Sequence, residues 1–308
     1  MKIFITGGSG MVGRNLLEHP ASAGYSILAP TSKELNLLSS EHVTAYLNQH
    51  KPDFVIHSAG IVGGIQANIA NPVKFFSDNM QMALNIINGS RAAGIKNLLN
   101  LGSSCMYPRN GSNPLKEESI LTGELEPTNE GYALAKISAA RLCDYISREN
   151  PDLAYKTIIP CNLYGRHDKF GTHNSHMIPA VIAKINLAVK SNAPEVDIWG
   201  DGEARREFMF AEDLADFIYF SLAKFEQLPQ LLNVGLGYDY TINQYYQTVA
   251  SVLGFKGRFV HDITKPVGMK QKLIDTTLLH AFGWKAKTSL EDGIKSTYQY
   301  FLETSNHE

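Results

Sequence analysis

Gly7-Gly8-Ser9-Gly10-Met11-Val12-Gly13 is the stretch that decides the fold. It follows the short apolar run Ile3-Phe4-Ile5 and opens an amphipathic segment that carries Leu16 and Leu17. A glycine turn between a strand and a helix lets the backbone approach a pyrophosphate at the positive end of the helix. The Gly-x-x-Gly-x-x-Gly spacing therefore predicts a dinucleotide-binding turn, and a glycine turn without a ligand is the alternative.

Apolar runs and helical periodicity continue along the chain. Strands that alternate with helices imply a parallel sheet, and continuous apolar runs are typical of strands buried on both faces. We therefore predict an α/β protein built on a Rossmann doubly wound parallel sheet. The predicted strands are Tyr25–Ala29, Phe54–His57 and Lys96–Leu101, and the predicted long helices are Val73–Ala93 and Tyr132–Ile146.

The composition of the chain changes at about Asn162, where predicted loops rich in Gly, His, Asn and Asp begin. A helix is predicted over Ile178–Val189. We predict a dinucleotide-binding domain over residues 1–161 and a smaller, mixed α/β C-terminal substrate domain over residues 162–308. A strand near residues 232–236 is expected to rejoin the first sheet.

Composition excludes several classes of protein. The 308 residues are 44% hydrophobic and 19% charged, with a net charge of -2, so nothing attracts the chain as a whole to nucleic acid or to an anionic membrane. The chain has three cysteines, which is few for its length, and an odd number cannot all pair in disulfides. A disulfide framework is therefore not expected. No apolar stretch has the length of a membrane span, and no histidine and cysteine set has metal-ligand spacing. We expect a soluble cytoplasmic protein without a metal.

Tyr132 and Lys136 form a Tyr-x-x-x-Lys step on a predicted helix. This spacing puts the phenol and the ammonium group on one helix face, where the cation is expected to lower the phenol pKa toward that of a proton donor. Ser103 follows a predicted strand and offers a hydroxyl that can bind a carbonyl oxygen. The three residues together predict carbonyl reduction.

Cys105 lies two residues after Ser103, and His176 precedes the predicted helix of the second domain. One interpretation makes Cys105 a small buried apolar residue and His176 a helix-capping residue. The other makes them a thiolate and an imidazole that remove and return a proton beside a ketone. The sequence leaves both open.

Arg205 and Arg206 follow Trp199, and Lys184 lies on the helix that His176 precedes. A guanidinium group matches a diphosphate, and an indole can stack on a base or a ribose. A solvated surface pair is the alternative for the two arginines.

Taken together, these motifs resemble the extended short-chain dehydrogenase/reductase (NAD-dependent epimerase/dehydratase) family, and more closely its GDP-L-fucose synthase branch. The resemblance covers nearly the whole chain. Its most specific segments are Val62-Gly63-Gly64-Ile65, Gly102–Pro108, Glu126–Tyr132, Asn162-Leu163-Tyr164-Gly165 and Asn174-Ser175-His176.

The resemblance implies an NADPH-dependent 3,5-epimerase/4-reductase that converts GDP-4-keto-6-deoxy-D-mannose to GDP-L-fucose. It makes Ser103, Tyr132 and Lys136 the reductive triad and Cys105 with His176 the epimerisation pair. It also implies a homodimer packed through the helices that contain Phe75–Ile87 and Tyr132–Ile146. By the same resemblance Lys184, Trp199 and Arg206 bind the GDP moiety. The implied NADP contacts are Gly7, Gly8, Ser9, Gly10, Met11, Val12, Gly13, Ser32, Lys33, Leu101, Gly102, Ser103, Lys136, Pro160, Cys161, Asn162, Leu163 and His176.

Some positions depart from the family pattern. Ser9 and Ser32 stand where some members carry arginines for the 2'-phosphate of NADP. No acidic residue ends the strand at Ala29-Pro30 to bind a free 2'-hydroxyl, so NADP is still expected. Arg166 replaces a usual proline and Val267 a usual acidic residue, and we expect both at the sugar nucleotide.

Two rival functions stay open. One is the same chemistry, or 4-keto reduction alone, on another GDP-4-keto sugar such as a heptose or a 3,6-dideoxy sugar. The other is a cofactor-sensing protein without turnover. The Ser103, Tyr132 and Lys136 set argues against the second, because a binding module has no use for an activated phenol.

Overall fold

The computed structural model describes residues 1–171, 175–265 and 268–305. Its elements are numbered in chain order. The strands are β1 (Lys2–Thr6), β2 (Ser26–Leu28), β3 (Phe54–His57), β4 (Asn97–Leu101), β5 (Ala154–Pro160), β6 (Asn162–Tyr164), β7 (Glu195–Trp199), β8 (Arg205–Arg206), β9 (Phe208–Phe210), β10 (Leu231–Val234), β11 (Tyr240–Thr241), β12 (Arg258–Asp262) and β13 (Gln271–Lys272). The helices are α1 (Met11–Glu18), α2 (Ser40–His50), α3 (Ile65–Ala70), α4 (Pro72–Ala92), α5 (Glu130–Glu149), α6 (Met177–Lys190), α7 (Ala211–Leu222), α8 (Ile242–Leu253), α9 (Thr277–Phe282) and α10 (Leu290–Ser305).

A six-stranded parallel sheet forms the centre of the molecule. Its strand order is β10-β5-β4-β3-β1-β2, and every pairing is parallel. The chain passes from β1 to β2 on one side and then returns to the other side of β1 as β3. The loops after β1 and β3 therefore diverge, which opens the crevice where α/β proteins of this topology bind ligands.

Helices cover both faces of this sheet. Phe4, Val55 and Leu98 point to one face and pack with buried residues of α2, α4 and α5. Their neighbours Ile5 and Ile56 point to the other face and pack with residues of α1 and α7. Successive strand residues face opposite sides, so a sheet covered twice needs continuous apolar runs. The predicted doubly wound Rossmann fold is confirmed.

Predicted elements begin and end within one to three residues of the observed ones. The sequence pattern does not predict β5, because Lys156 interrupts its apolar run. That lysine is buried, and its Nζ donates hydrogen bonds of 2.6 to 2.8 Å to the carbonyl oxygens of Phe225, Glu226 and Leu228. The ammonium group thus satisfies three carbonyl groups beside the sheet.

The later part of the chain builds a second core and also returns to the first. Residues of α6, α8, α10 and β7 pack together in the second core. Strand β10, in the region expected to rejoin the first sheet, pairs with β5. Helix α7 packs with the first core, and the Tyr219 hydroxyl donates a hydrogen bond of 2.9 Å to the Leu16 carbonyl. Residues on both sides of position 161 therefore share one core.

Glu207, between β8 and β9, connects the two parts of the molecule. It is 1% exposed, and its carboxylate accepts hydrogen bonds from the backbone N–H groups of Leu236 (2.6 Å), Gly237 (3.0 Å) and Ile274 (3.0 Å). Burial raises the pKa of Glu207 to about 7, and the three N–H donors act in the opposite direction. One buried side chain thus satisfies three backbone donors that follow β10 and β13.

We predict that Glu207→Gln lowers the free energy of unfolding by about 1 to 3 kcal/mol, because an amide NH2 would face backbone N–H donors. Urea denaturation measures the change. Glu118→Gln is the matched control, since Glu118 is exposed, and should stay within about 0.5 kcal/mol of the wild type. Equal stability of the Glu207 variant and the wild type would contradict the assigned role.

Candidate active site at the carboxyl ends of the strands

The glycine turn after β1 is closely packed. Gly7 has a φ of 74°, and a Cβ there would lie 2.8 Å from Ala59 Cα, on the loop after β3. A Cβ on Gly13 would collide with the Gly7 carbonyl oxygen. A side chain at Gly7 would force the two loops apart, and one at Gly13 would push α1 away from the turn.

Helix α1 begins directly after this turn. Gly10 is its N-cap residue, and no side chain in the described part of the chain caps it. The Gly10 N–H donates to the Gly7 carbonyl at 2.9 Å. An uncapped N-terminus behind a glycine turn presents free N–H groups and the positive end of the helix dipole, so the residues fit a dinucleotide diphosphate.

The segment after β2 borders this turn, since a Cβ on Gly8 would lie 2.8 Å from the Cβ of Ala29. Ser32 and Lys33 are exposed there. The next acidic residue, Glu34, accepts hydrogen bonds from the Thr31 N–H (2.7 Å) and hydroxyl (2.9 Å). The carboxylate is thus engaged within its own turn, and Ser32 and Lys33 stand at the surface.

The residues predicted to border the nicotinamide of NADP lie where β4 and β5 end. The Gly102 N–H donates to the Ile158 carbonyl at 2.8 Å, and the Cys161 N–H donates to the Val234 carbonyl at 3.0 Å. The Asn162 side chain donates to the Glu207 carbonyl at 2.9 Å. The end of β4 at Leu101 and Gly102 therefore lies beside the end of β5 at Pro160, and Cys161 connects β5 to β6, which contains Asn162 and Leu163.

Lys136 points from α5 to the strand ends. It is buried, and its Nζ donates to the Leu101 carbonyl at 2.9 Å. A Cβ on Gly60, in the loop after β3, would lie 3.7 Å from the same Nζ. Burial lowers the pKa of Lys136 to about 8. The ammonium group thus joins the ends of β3 and β4 at the crevice.

Tyr132 lies one helical turn before Lys136, near Ser103 and Cys105. Burial raises the pKa of the phenol, Cys105 raises it further, and a hydrogen bond with Ser103 lowers it. The expectation that Lys136 lowers this pKa is wrong in this structure. Its Nζ is 5.8 Å from the centroid of the Tyr132 ring and bonds to the Leu101 carbonyl.

Cys105 lies in a single 3₁₀ turn, Ser104–Met106, directly after Ser103. The Ser103 hydroxyl accepts a hydrogen bond from the Cys105 N–H at 3.4 Å. The thiol is 5% exposed, and burial raises its pKa, whereas Lys272, Ser103 and Lys136 act to lower it. Cys105 is therefore a buried residue that also faces two cations and the serine.

His176 is the N-cap residue of α6. Its Nδ1 is 3.4 Å from Asp168 Oδ1, and that contact raises the pKa of the imidazole. The carbonyl oxygen of the preceding Ser175 would lie 3.7 Å from a Cβ on Gly64. His176 thus follows a residue that contacts the same loop, after β3, that also reaches Lys136.

The residues predicted to bind a nucleotide lie on helix α6 (Lys184) and on strands of two small sheets (Trp199 on β7 and Arg206 on β8). Lys184 Nζ is 2.7 Å from both the carbonyl and a carboxylate oxygen of Asp197 on β7. Trp199 ends this strand 51% exposed, with Lys265 Nζ 5.7 Å from its ring centroid. An exposed indole beside a cation suits stacking on a base.

The two arginines of β8 have different surroundings. Arg205 forms an ion pair with the buried Asp239 at 2.6 Å. Arg206 is half-buried and pairs in register with Lys272 of β13. The interpretation as a solvated surface pair is therefore wrong for Arg206, whereas the Arg205 side chain is 43% exposed and pairs with Asp239.

Arg166 does not contribute to this cleft, which corrects the expectation for it. Its guanidinium pairs with Glu18 of α1 at 2.8 Å and with Glu212 of α7 at 3.3 Å. These carboxylates lie on helices that cover the sheet, so the side chain is directed there. Val267 and Asn174 lie outside the described residues.

No motif in the sequence indicates Asp168 or Lys272 as site residues. Lys272 faces Cys105 and Arg206, and burial lowers its pKa. Strand β13 has two residues, too few for any periodic signal, and only its pairing with β8 brings Lys272 to the site. Asp168 follows Gly165 in an irregular loop, and no spacing connects it with His176.

The chain belongs to the NAD dependent epimerase/dehydratase family, which matches residues 3–235. It is 60% identical over 308 residues to the GDP-L-colitose synthase of Yersinia pseudotuberculosis, covering 100% of both chains. It is 51% identical over 301 residues to the GDP-L-fucose synthase of Azorhizobium caulinodans, covering 98% of this chain and 96% of that one. The resemblance inferred from the motifs is confirmed.

A solved structure shares the fold over nearly the whole length. The GDP-mannoheptose C4 reductase of Campylobacter jejuni, with NADP bound, superposes with a TM-score of 0.89 at 30% identity. The match covers 98% of each chain.

Within residues 1–171, 175–265 and 268–305, no group of three or more His, Cys, Asp or Glu side chains is arranged to hold a metal ion. Among the helices of the same residues, none combines the length and apolarity needed to span a membrane.

We predict that Gly13→Ala weakens NADPH binding roughly tenfold or more, equivalent to about 1.4 kcal/mol, because the added methyl group displaces the Gly7 carbonyl and opens the turn. Fluorescence titration with NADPH measures the dissociation constant. Gly24→Ala is the matched control, because a Cβ at Gly24 meets no atom within 4 Å. Unchanged affinity in the Gly13 variant would show that NADPH does not depend on this turn.

Proposed function

We propose that this protein is an NADPH-dependent epimerase and 4-reductase of a GDP-4-keto-6-deoxy sugar. The observation that carries the proposal is the convergence of Ser103, Cys105, Tyr132 and Lys136 at the ends of β3 and β4. In the first candidate function the substrate is GDP-4-keto-6-deoxy-D-mannose and the product is GDP-L-fucose. GDP-L-fucose synthases 41% to 51% identical over nearly the whole chain support it.

A second candidate differs in the sugar. The GDP-L-colitose synthase with 60% identity favours a GDP-4-keto-3,6-dideoxy sugar, because L-colitose is a 3,6-dideoxyhexose. Such a sugar has a CH2 group at C3, so only C5 can be epimerised. The same residues serve both substrates, since the ketone is at C4 in each.

We assign most of the cofactor site to the N-terminal part, residues 1–161, and its remaining contacts to Asn162, Leu163 and His176. The turn Gly7–Gly13 and the N-terminus of α1 bind the diphosphate, and Ser9, Ser32 and Lys33 face the 2'-phosphate. Lys136 and the ends of β4 and β5, from Leu101 to Ser103 and from Pro160 to Leu163, border the ribose and nicotinamide, with His176 across the cleft. Bound NADPH supplies a hydride.

The sugar-nucleotide site belongs to the C-terminal part, residues 162–308. Trp199 stacks on the guanine, and Lys184 fixes the strand that presents this indole. Arg206 and Lys272 bind the diphosphate, since their side chains bring two positive charges to one edge of the cleft.

The catalytic residues then have separate roles. The ketone at C4 acidifies the protons on the neighbouring carbons, so a positioned base can form an enolate there. Ser103 and Tyr132 donate hydrogen bonds to the C4 oxygen in this step. Cys105 and His176 remove and return the protons. Tyr132 finally gives its proton to the C4 oxygen during reduction.

Deuterated water separates the two steps. We predict that Cys105→Ser and His176→Asn incorporate roughly a hundredfold less deuterium into the sugar ring while still oxidising NADPH to an unepimerised 4-reduced sugar. Tyr132→Phe is the complementary variant, and we expect it to stop NADPH oxidation and to keep NADPH binding. Mass spectrometry and NADPH absorbance give the two readouts on each GDP-4-keto sugar. Deuterium exchange at the wild-type rate in the first two variants would remove Cys105 and His176 from the mechanism.

The same wild-type experiment identifies the substrate. Deuterium at both C3 and C5 with turnover of GDP-4-keto-6-deoxy-D-mannose supports the first candidate. Turnover confined to the 3,6-dideoxy substrate supports the second. No turnover of either sugar would leave a protein that binds the cofactor without this activity.

We also propose a cytoplasmic homodimer. The three cysteines are free buried thiols, which suits a reducing compartment. Helices α4 and α5 cover one face of the sheet with their inner surfaces, but several large apolar side chains are exposed on their outer surfaces. Covering the sheet does not require these outer apolar side chains, so a second chain is expected to cover them. These residues are Val73, Phe76, Leu84, Leu134 and Tyr145.

We predict that the wild type has twice the chain mass in light scattering at micromolar concentration. Leu84→Glu combined with Leu134→Glu should give the monomer mass, because two charges would be buried in the interface. Leu187→Glu is the control, since Leu187 is 67% exposed on α6, away from that surface. A wild-type monomer, or a double variant that stays dimeric, would contradict the proposed interface.

A further inference from the structure

A buried carboxylate contacts the proposed epimerisation histidine. The Asp168 side chain is 5% exposed, and its Oδ1 is 3.4 Å from His176 Nδ1. The same oxygen accepts a hydrogen bond of 2.8 Å from the Lys169 N–H. Asp168 Oδ2 is buried, and no hydrogen-bond partner for it is present among the described residues.

This burial is costly unless the charge is compensated. A carboxylate loses its hydration in a buried site, and a single backbone N–H group offsets only part of that loss. In the described part of the chain, His176 is the residue that forms an ion pair with Asp168. The contact between Asp168 and His176 is therefore the compensating interaction.

Both partners are attached to well-packed elements. His167, next to Asp168, has a φ of 65°, and its ring nitrogens lie 3.0 Å from the Tyr300 hydroxyl on α10 and 2.8 Å from a Glu18 carboxylate oxygen on α1. His176 caps α6, and its carbonyl accepts the Ala180 N–H at 3.1 Å. Two elements fixed by separate contacts thus bring the carboxylate and the imidazole together.

We propose that Asp168 is a positioning residue for His176. Its carboxylate accepts the Nδ1–H, which fixes the tautomer and the ring orientation so that Nε2 is directed to the sugar. A second hydrogen bond of this kind is the usual way in which proteins select one nitrogen of an imidazole for chemistry. The proposal rests on the proposed function, which makes His176 an epimerisation residue. Contacts of this length often shorten when a substrate binds.

Electrostatics agree with this role. The N-terminus of α6, the partial burial of the ring and the nearby Lys169 all disfavour an imidazolium ion at position 176. Asp168 acts in the opposite direction, and its hydrogen bond is the largest influence, so the pKa of His176 is raised. Removing the carboxylate should lower this pKa, and removing the Lys169 charge should not.

The first test uses NMR titration of the protein with ¹³C-labelled histidine and without substrate. His176→Asn identifies the His176 resonance by its loss. In Asp168→Asn we expect the His176 pKa to fall and the Nδ1–H tautomer to lose its preference, while the exposed neighbour variant Lys169→Met leaves the pKa unchanged or raises it. A His176 that titrates in Asp168→Asn as in the wild type overturns the proposal. Because no substrate is present, this result does not depend on the proposed function.

The second test measures both chemical steps in deuterated water. Asp168→Asn should lose roughly tenfold or more of the deuterium incorporation, with NADPH oxidation and NADPH affinity within about twofold of the wild type. An equal loss of exchange, reduction and cofactor binding would make Asp168 merely structural and overturn the proposal. If Asp168→Asn does not fold, Asp168→Ser takes its place with the same readouts. A wild type that exchanges no deuterium defeats the proposed function, and the titration still decides the contact between Asp168 and His176.

Discussion

The close approach of Gly7 to Ala59 at the switch point of the sheet is the constraint on which the site depends. The Ala59 N–H donates to the Thr6 hydroxyl at 3.1 Å, and that hydroxyl is 2.9 Å from Nδ1 of the buried His57. Burial and the neighbouring Lys136 lower the pKa of His57 to about 3, so the imidazole is neutral at ordinary pH. The ends of β1 and β3 are thus joined by uncharged contacts.

Positive charge is concentrated locally in a chain with a net charge of -2. Lys136, Lys272 and Arg206 all have pKa values lowered by burial, which shows that the cleft removes water from its cations. Glu126 lies close enough to raise the pKa of both Lys272 and Arg206. Desolvated cations attract phosphate groups more strongly than surface cations do, because water screens them less. The site thus suits an anionic nucleotide without an overall basic surface.

Two polar anchors fix the later part of the chain against the sheet. Glu207 bonds to the backbone beyond β10 and β13, and Glu18 of α1 accepts contacts from both Arg166 and His167. Glu18 holds the two residues directly before Asp168, and Glu207 lies after His176 in the chain. The segments before and after His176 are thus each attached to the first core. Arg166 adds to this attachment through its ion pairs with Glu18 of α1 and Glu212 of α7.

The sequence by itself determined the glycine turn, the doubly wound parallel sheet, the long helices and the family, because those depend on local spacing and on continuous apolar runs. It also selected Ser103, Cys105, Tyr132, Lys136 and His176 as candidates. Only the tertiary structure decided which charges face them. Lys272 reaches Cys105 through a two-residue strand, Asp168 reaches His176 through an irregular loop, and Lys136 bonds to a carbonyl group instead of lowering the phenol pKa. Pairings between distant segments leave no periodic signal, and the pKa of a buried group depends on its desolvation and its neighbours, which only folding sets.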